Sequence, residues 1–548
     1  MRRFTRLGLT PTQLFFRSIS RGYSSYVADL PYKDFLATDH FQPSLPRLKV
    51  PPLEKTIERY INSQKALLSE TEVDETSGLA TKFLTDRGPQ LQRELMEYAR
   101  VNSHTSYITD LWFDMYLSDR RPVVLTHNPV MVLQNTTRGP GYQQPAVRAT
   151  NLIFGAIRFC QLLSSNKLEP EVFHLNPSKS KTPLFYQTMR WVPKSVATYA
   201  AYMFNVLARS SSQALYQPLG KPRNVAGEIG QLSSLYGNPV SPKQVLSNIQ
   251  FILSRPPVCT APGIGVITTM DRDQAYAVRK RLISLGNRAN LDLIDSALLA
   301  LVLDDEPQMD IKSTLLNFLT GPAESRWFDK SLSLLIDRTG CAAINFEHSW
   351  GDGVAVVRLS QDMFEQSEKE PVVGPDDLID RANKLPESTV QRLEWLVDDH
   401  LVSDTLKSAR EAYEARRHAV VLHFDWKQGS LSKRLCKQAN LSADSMMQLS
   451  FQRELGRTLP DLFTDEHYAR INAILLSTST LSSSAFSMGG FAAVHPDGYG
   501  IGYGINDERC GAVVTSWRGS SCANAVDFVD AFTQSADRLA ALIRAKST

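Results

Sequence analysis

The chain carries no CxxC pair: its six cysteines, Cys160, Cys259, Cys341, Cys436, Cys510 and Cys522, are scattered through 548 residues. This suggests neither a disulfide framework nor a zinc site, and a reducing compartment fits best. No apolar run reaches the roughly 18–20 residues that a membrane span requires. LLALVL at 298–303 is only a core-sized run. No internal repeat occurs, and no GxSxG motif, so a serine hydrolase of the nucleophile-elbow type is unsupported. Acidic residues are absent before Asp29, whereas Arg2, Arg3, Arg6, Arg17 and Arg21 all precede it among hydroxyl and apolar residues. An arginine- and serine-rich, acid-free leader of this kind predicts a mitochondrial transit peptide over 1–25. Without those five arginines the formal charge of +3 becomes −2, so the remainder offers no electrostatic footprint for nucleic acid.

What is there is ordinary for a folded soluble protein, with 43% apolar and 21% charged residues, and the length calls for two or three domains. LPRLKVPPLEKTIERYINS (45–63) places Leu53, Ile57, Tyr60 and Ile61 on one face of a helix. VVLTHNPVMVLQ (123–134) predicts a strand and a turn, NLIFGAIRFCQLL (151–163) a buried helix. RDQAYAVRKRLISLG (272–286) predicts a helix with a glycine stop, and residues 388–418 another helix. SRPPVCTAPGIGVITTM (254–270) predicts a loop and then a strand. SSAFSMGGFAAVHPDGYGIGYGIND (483–507) alternates like paired strands joined by Asp-Gly turns, and 524–545 closes as an amphipathic helix. Strands alternating with helices imply the α/β class. Residues 168–207 mix prolines, basic residues and aromatics, a composition that suits a membrane interface as well as an ordinary loop and helix.

NFEHSWGDG (345–353) sets His348 and Asp352 four residues apart, after a strand-like segment and beside Gly351 and Gly353. INFEHS and VAVVRL, flanking those glycines, predict a strand, a tight turn and a second strand. A neutral imidazole projected from such a turn can take a proton from an alcohol or thiol near pH 7. Asp352 can orient that ring or hold a separate basic residue; the plain alternative is a packed histidine with a carboxylate nearby. The hydroxyl run STSTLSSS (477–484) can donate to an oxyanion or a carboxylate, although such runs also mark turns. Phe491 follows two glycines, and its ring can meet a quaternary ammonium or pack in a core. Lys427, Lys433, Arg434 and Lys437 lie within eleven residues, as a solvated helix face or a phosphate site. No metal site is predicted.

Together NFEHSWGDGVAVVRL (345–359), RWFDKS (326–331), LSTSTLSS (476–483), GGFA (489–492), LPRLKVPPLEKTIERY (45–60) and WFDMYL (112–117) resemble the carnitine/choline acyltransferases, within them the mitochondrial long-chain branch. The resemblance covers most of 30–452 and 453–548. It implies the CoA-dependent acyltransferase fold, chloramphenicol acetyltransferase-like, with two similar domains that are each a mixed sheet flanked by helices. One domain would combine 30–98 with 400–548; the other would span 99–399 and carry the histidine. Near 168–207 it would carry an insert that lies on the inner mitochondrial membrane. The implied activity is transfer of long-chain acyl groups between carnitine and CoA, by a monomer in the mitochondrial matrix, with no permanently bound cofactor and no nucleic acid partner. Coenzyme A, long-chain acyl-CoA and carnitine would be substrates.

By the same resemblance His348 would be the general base, Asp352 its acidic partner and Ser479 the donor to the oxyanion. Ser477, Ser479 and Phe491 would hold carnitine, the last facing its trimethylammonium group, while Lys433, Lys437 and Asp444 would meet CoA. The chain departs from the family pattern twice. After DSMMQLSFQ (444–452) relatives continue into a long segment with Tyr-Glu-Ser, Gly-Arg-Thr-Glu and Asp-Arg-His-Leu motifs, whereas here SFQ runs straight into RELGRTLPDLF (453–463). The residues expected to bind carnitine's carboxylate and hydroxyl, and the arginine expected to pair with Asp352, have no counterpart. SSQALYQPLGKPRNVAGEIGQLSSLYG (211–237) replaces a longer stretch that includes a core strand. Both departures read as alternative splicing or a mis-joined gene, and they imply an alternative function: a catalytically impaired form acting at most as a binding protein.

Overall fold

The computed structural model describes residues 36–65, 69–103, 105–172, 174, 180–207, 240–255, 263–304, 310–379, 390–425, 431–438, 474–480, 483–505 and 510–547. Asp444, the junction at 452 and the altered stretch at 211–237 lie outside the described residues. Helices α1 (Leu53–Lys65), α2 (Glu70–Thr85), α3 (Gly88–Val101) and α4 (Ile108–Ser118) come first. They are followed by α5 (Pro145–Ser164), α6 (Pro183–Trp191), α7 (Ala197–Leu207), α8 (Pro242–Leu253) and α9 (Arg272–Ser284). Beyond these lie α10 (Ile311–Leu319), α11 (Gly353–Lys369), α12 (Lys407–Ala419), α13 (Lys433–Gln438) and α14 (Ala525–Ser547).

One sheet joins β1 (Val130–Leu133), β2 (Ala300–Leu303), β3 (Leu332–Ile336), β4 (Ala342–Phe346) and β7 (Phe486–Gly490) in the order β2-β3-β4-β1-β7. β2 and β3 run parallel and the other neighbours antiparallel. β1 and β4 are buried along their whole length because both faces of the sheet are covered. The pleat sends Met131, Leu133, Ile344 and Phe346 toward Leu152 of α5 and Val356 and Met363 of α11. It sends Val130, Val132 and Ala343 the other way, onto Leu315 and Phe318 of α10.

The second sheet has the order β5-β9-β8-β6, built from β5 (Val420–Asp425), β6 (Leu476–Thr480), β8 (Tyr499–Ile505) and β9 (Cys510–Trp517). α14 covers one face, with Phe528, Val529 and Phe532 against Ile501, Ala512 and Val514. From the opposite face Leu422 and Val513 enter the same apolar cluster as Val130 and Val132, so the two sheets share a core.

Four segments fold otherwise than their local pattern suggests. VAVVRL belongs to helix α11, not to a second strand: Asp352 caps it and Val356, Leu359, Ser360 and Met363 are buried at helical spacing. A six-residue apolar run cannot distinguish the two outcomes; the longer period does. Residues Ile264–Thr269 form a fully buried 3-10 helix and not a strand, with Thr268 and Thr269 hydroxyls bonded to the carbonyls of Gly265 and Val266. Within 388–418, residues 391–398 are irregular and helix begins only at 399. The side chains of Asn287 and Asn290 hold that irregular run by bonding Leu396 and the Glu394 carbonyl, which supplies its main chain without a helix.

The strands of 483–507 are not paired with each other: β7 pairs with β1, whereas β8 pairs with β6 and β9. Where they cross, a Cβ on Gly502 would lie 2.4 Å from the Gly489 carbonyl oxygen, so only glycine lets the two sheets approach. Gly502→Val is expected to force them apart at a cost of about 1–3 kcal/mol. Thermal melting reads this directly, and a variant that melts with the wild type would contradict the close approach.

Candidate active site

β4 ends at Phe346, and the chain continues through Glu347 to His348, whose N–H donates to the His127 carbonyl at 3.0 Å. Side-chain alternation along this extended run places Phe346 and His348 on one side and Glu347 and Ser349 on the other. On the His348 side three aromatic rings surround the imidazole. Tyr116 stacks on it at 5.2 Å with an interplanar angle of 6°. Trp112 lies at 5.9 Å and Phe346 at 5.4 Å. Trp112 and Tyr116 are four residues apart on α4, hence on one helix face.

Asp352 faces the Nε2 edge of His348 at 4.0 Å, too far for a hydrogen bond. Its carboxylate instead accepts from the Gly353 N–H at 2.7 Å and caps α11, an arrangement favoured by the positive end of the helix dipole. Asp352 therefore does not hold the ring by a direct bond. Among the described residues His348 is the ionisable group that Asp352 faces, and the Nδ1 of His348 is buried without a hydrogen-bond partner. Burial, reinforced by the charges of Asp352 and Glu347, pushes the Tyr116 phenol up to about 12, so it stays neutral over His348.

Ser477 and Ser479 lie on β6, at the edge of the other sheet, opposite Gly500 and Gly502 of β8. Because Gly502 backs onto Gly489, and Gly489 pairs with Met131 beside Ile344 of β4, the strands bring the serine-bearing edge toward the sheet that carries His348. Phe491 follows β7 directly and is half-buried, its carbonyl accepting from the Thr515 hydroxyl at 2.7 Å. Lys433 opens α13 and Lys437 lies within it. The structure thus joins His348 to Asp352 as neighbours, reaches Ser477, Ser479 and Phe491 through the sheet crossing, and sets Lys433 and Lys437 on a separate helix.

Sequence reasoning missed the residues around His348. Beneath Tyr116 lies His127, edge to face at 5.3 Å and 71°, and its Nε2 pairs with Asp119 at 2.9 Å. Behind the strand, Glu347 accepts from the Ser349 N–H at 3.1 Å and faces Arg272 at 3.4 Å. Glu347 and Ser349 line a cavity of about 650 Å³ with Arg272, Trp327, Asp329 and Trp350.

Asp329 lines that cavity and keeps part of its side chain open to solvent; the protein packed around its carboxyl pushes it up from 3.8 to about 7, against the pull of Arg272. A raised folded value means that the fold binds this proton more tightly than the unfolded chain does. Stability is therefore lost as pH rises from about 4 to about 7, and is level above that. Asp329→Asn should raise the melting temperature at pH 8 by roughly 1–2 °C, the cavity being open enough for water to screen the charge, and leave it unchanged near pH 4. An equal shift at both pH values would contradict this.

The sequence profile of the family described as Choline/Carnitine o-acyltransferase matches residues 48–454 and 452–534, two blocks that meet where the family pattern breaks off in the sequence. The chain is 32% identical to the mitochondrial carnitine O-palmitoyltransferase 2 of Xenopus tropicalis, over 97% of this chain and 97% of that one. It is 32% identical to the Homo sapiens protein of the same name over 91% and 92%, and 24% identical to the choline O-acetyltransferase of Danio rerio over 76% and 66%. The Xenopus alignment runs over 645 positions, more than the 548 residues of the chain, so that relative carries segments absent here. With its mixed α/β sheets and a profile match across most of its length, the chain is an enzyme of the choline/carnitine O-acyltransferase family, with the CoA-dependent acyltransferase fold.

Proposed function

We propose that the chain transfers long-chain acyl groups between coenzyme A and carnitine in mitochondria. The observation that carries this reading is near full-length similarity to mitochondrial carnitine O-palmitoyltransferase 2, with a histidine set among rings at the matching motif. In the reaction His348 takes the proton of the carnitine hydroxyl, whose oxygen attacks the thioester carbonyl. Ser479 donates to the resulting oxyanion. The intermediate collapses with cleavage of the carbon–sulfur bond, and the CoA thiolate recovers the proton from His348. Both substrates meet at one histidine, so no acyl-enzyme is needed. Ser477 and Phe491 contribute to the carnitine site, and Lys433, Lys437 and Asp444 to that for CoA. Asp352 acts as the head of α11 beside the base.

Peripheral contact with the inner mitochondrial membrane is part of the proposal. On α6 and α7 and between them, Leu184, Trp191, Val196 and Tyr199 are exposed, Trp191 by 89%, in the stretch that also carries Lys194. That surface suits a lipid interface. Among the described residues no helix is long and apolar enough to cross a membrane.

A second reading has its own support. The profile match broken at 452–454, and an alignment longer than the chain, favour a shortened form that lacks part of the carnitine site and binds without turnover. Incubation of the purified protein with palmitoyl-CoA and carnitine separates the two. Palmitoylcarnitine formation above the His348→Ala background supports transfer; calorimetric CoA binding without product supports the shortened form.

A further inference from the structure

The rings over His348 do not end at Tyr116. Tyr116 rests edge to face on His127 at 5.3 Å, and the Nε2–H of His127 donates to the Asp119 carboxylate at 2.9 Å. Arg121 clasps the same carboxylate through Nε at 3.0 Å and Nη2 at 2.7 Å. Burial alone would raise the Asp119 carboxyl, but the Arg121 and His127 bonds hold it well below the usual carboxylate range. Burial lowers the His127 pKa below its ordinary value, against the opposing pull of Asp119. With the Nε2 proton given to Asp119, the tautomer is fixed and the ring cannot turn.

The cluster also reaches His348 by the main chain, because the His127 carbonyl accepts the His348 N–H at 3.0 Å. Arg121 extends it to the far side of the site, donating to the Val494 carbonyl at 3.3 Å, three residues beyond Phe491. Asp119, His127 and Tyr116 thus stand in line behind one face of the imidazole.

We infer that Asp119 and His127 are positioning residues that lock Tyr116 over His348 and so hold the imidazole in its working orientation. This rests on the reading of His348 as the base. Neither residue touches substrate; they act through the Tyr116 ring and the His127 carbonyl. Asp119→Ala removes the anchor, whereas Asp119→Asn keeps an oxygen able to accept from His127.

Carbethoxylation of His348 by diethyl pyrocarbonate, followed by mass spectrometry, reads the cover directly and needs no turnover. An edge-to-face ring contact of ordinary strength corresponds to roughly a 2–10-fold change in the uncovered population. Asp119→Ala is expected to accelerate modification by about that factor, as Tyr116→Ala does, while Asp119→Asn stays near the wild type. His127→Phe, which keeps the ring but not the bond, should follow Asp119→Ala and serves if that variant does not fold. In turnover assays kcat should fall in step with KM unchanged. Equal modification rates in wild type, Asp119→Ala and His127→Phe would overturn the inference, as would an asparagine variant as reactive as the alanine one. Loss of the base reading would appear separately, as full activity in His348→Ala.

Discussion

His348→Ala is expected to lower kcat for palmitoyl transfer by ~10²–10⁴-fold while leaving KM for palmitoyl-CoA nearly unchanged, the range removed with a general base. The prediction rests on the ring's setting. Three aromatic rings close on the imidazole, and among the described residues its Nε2 edge faces the carboxylate of Asp352 at 4.0 Å. A histidine placed there for packing alone would be replaceable by a residue of similar shape, so His348→Phe is the informative companion. Phenylalanine keeps the ring contacts and should preserve the melting temperature, yet be as inactive as alanine. Single-turnover measurements with palmitoyl-CoA and carnitine check both variants. Activity of His348→Phe near the wild type would end the catalytic reading.

Arg326→Ala is expected to be the most destabilising of the substitutions considered, by about 3–5 kcal/mol. Arg326 opens the RWFDKS motif, and its side chain is only 2% exposed. Its two terminal nitrogens meet the two oxygens of Asp304 at 2.8 Å each, and Nη2 also donates to the Asn317 carbonyl at 3.2 Å. Removing the guanidinium strands a carboxylate that, among the described residues, only the Asn317 amide at 2.8 Å still serves. The desolvation already suffered by Asp304 is then uncompensated, and this sets the size of the loss. Replacing both partners with apolar residues, Arg326→Met with Asp304→Leu, should recover most of it because no buried charge remains. The urea midpoints of the single and double variants decide the matter; a single variant within 0.5 M of the wild-type midpoint, about 1 kcal/mol at ordinary slopes, would contradict it.

These two substitutions show how differently two quoted motifs translate into structure. NFEHSWGDG marked a candidate base through features that are local: a strand, a break, an imidazole at the break. RWFDKS looked like part of the same functional signature, yet its arginine is a buried structural tie whose partner lies twenty-two residues upstream. The alternation of helices and strands was also legible: α14 buries Phe528, Val529, Phe532, Ala536, Ala540 and Ile543 at helical spacing, and α5 is a long apolar helix buried on nearly every side. VAVVRL was misread because six apolar-rich residues satisfy either period, and the cap at Asp352 decides between them only once it is seen to bond Gly353.

Around the site the division is sharper. Trp112 and Tyr116 can be placed on one face of α4 from their spacing, but nothing in that spacing says that this face meets a residue more than two hundred positions later. The Asp119–His127 pair is close in sequence and still unreadable there, because its meaning comes from the ring laid over it. The paired-strand reading of 483–507 failed for a related reason. Alternation reports that a strand has two faces, not which neighbour lies along its edge. By itself the sequence determined the alternation of helices and strands, though not the type of every segment, and where a base could stand. The tertiary structure alone decided that β7 and β8 part into different sheets at Gly489 and Gly502, and which rings enclose His348. Local periods depend on a residue's near neighbours, whereas sheet order and side-chain enclosure are set by contacts between segments far apart along the chain.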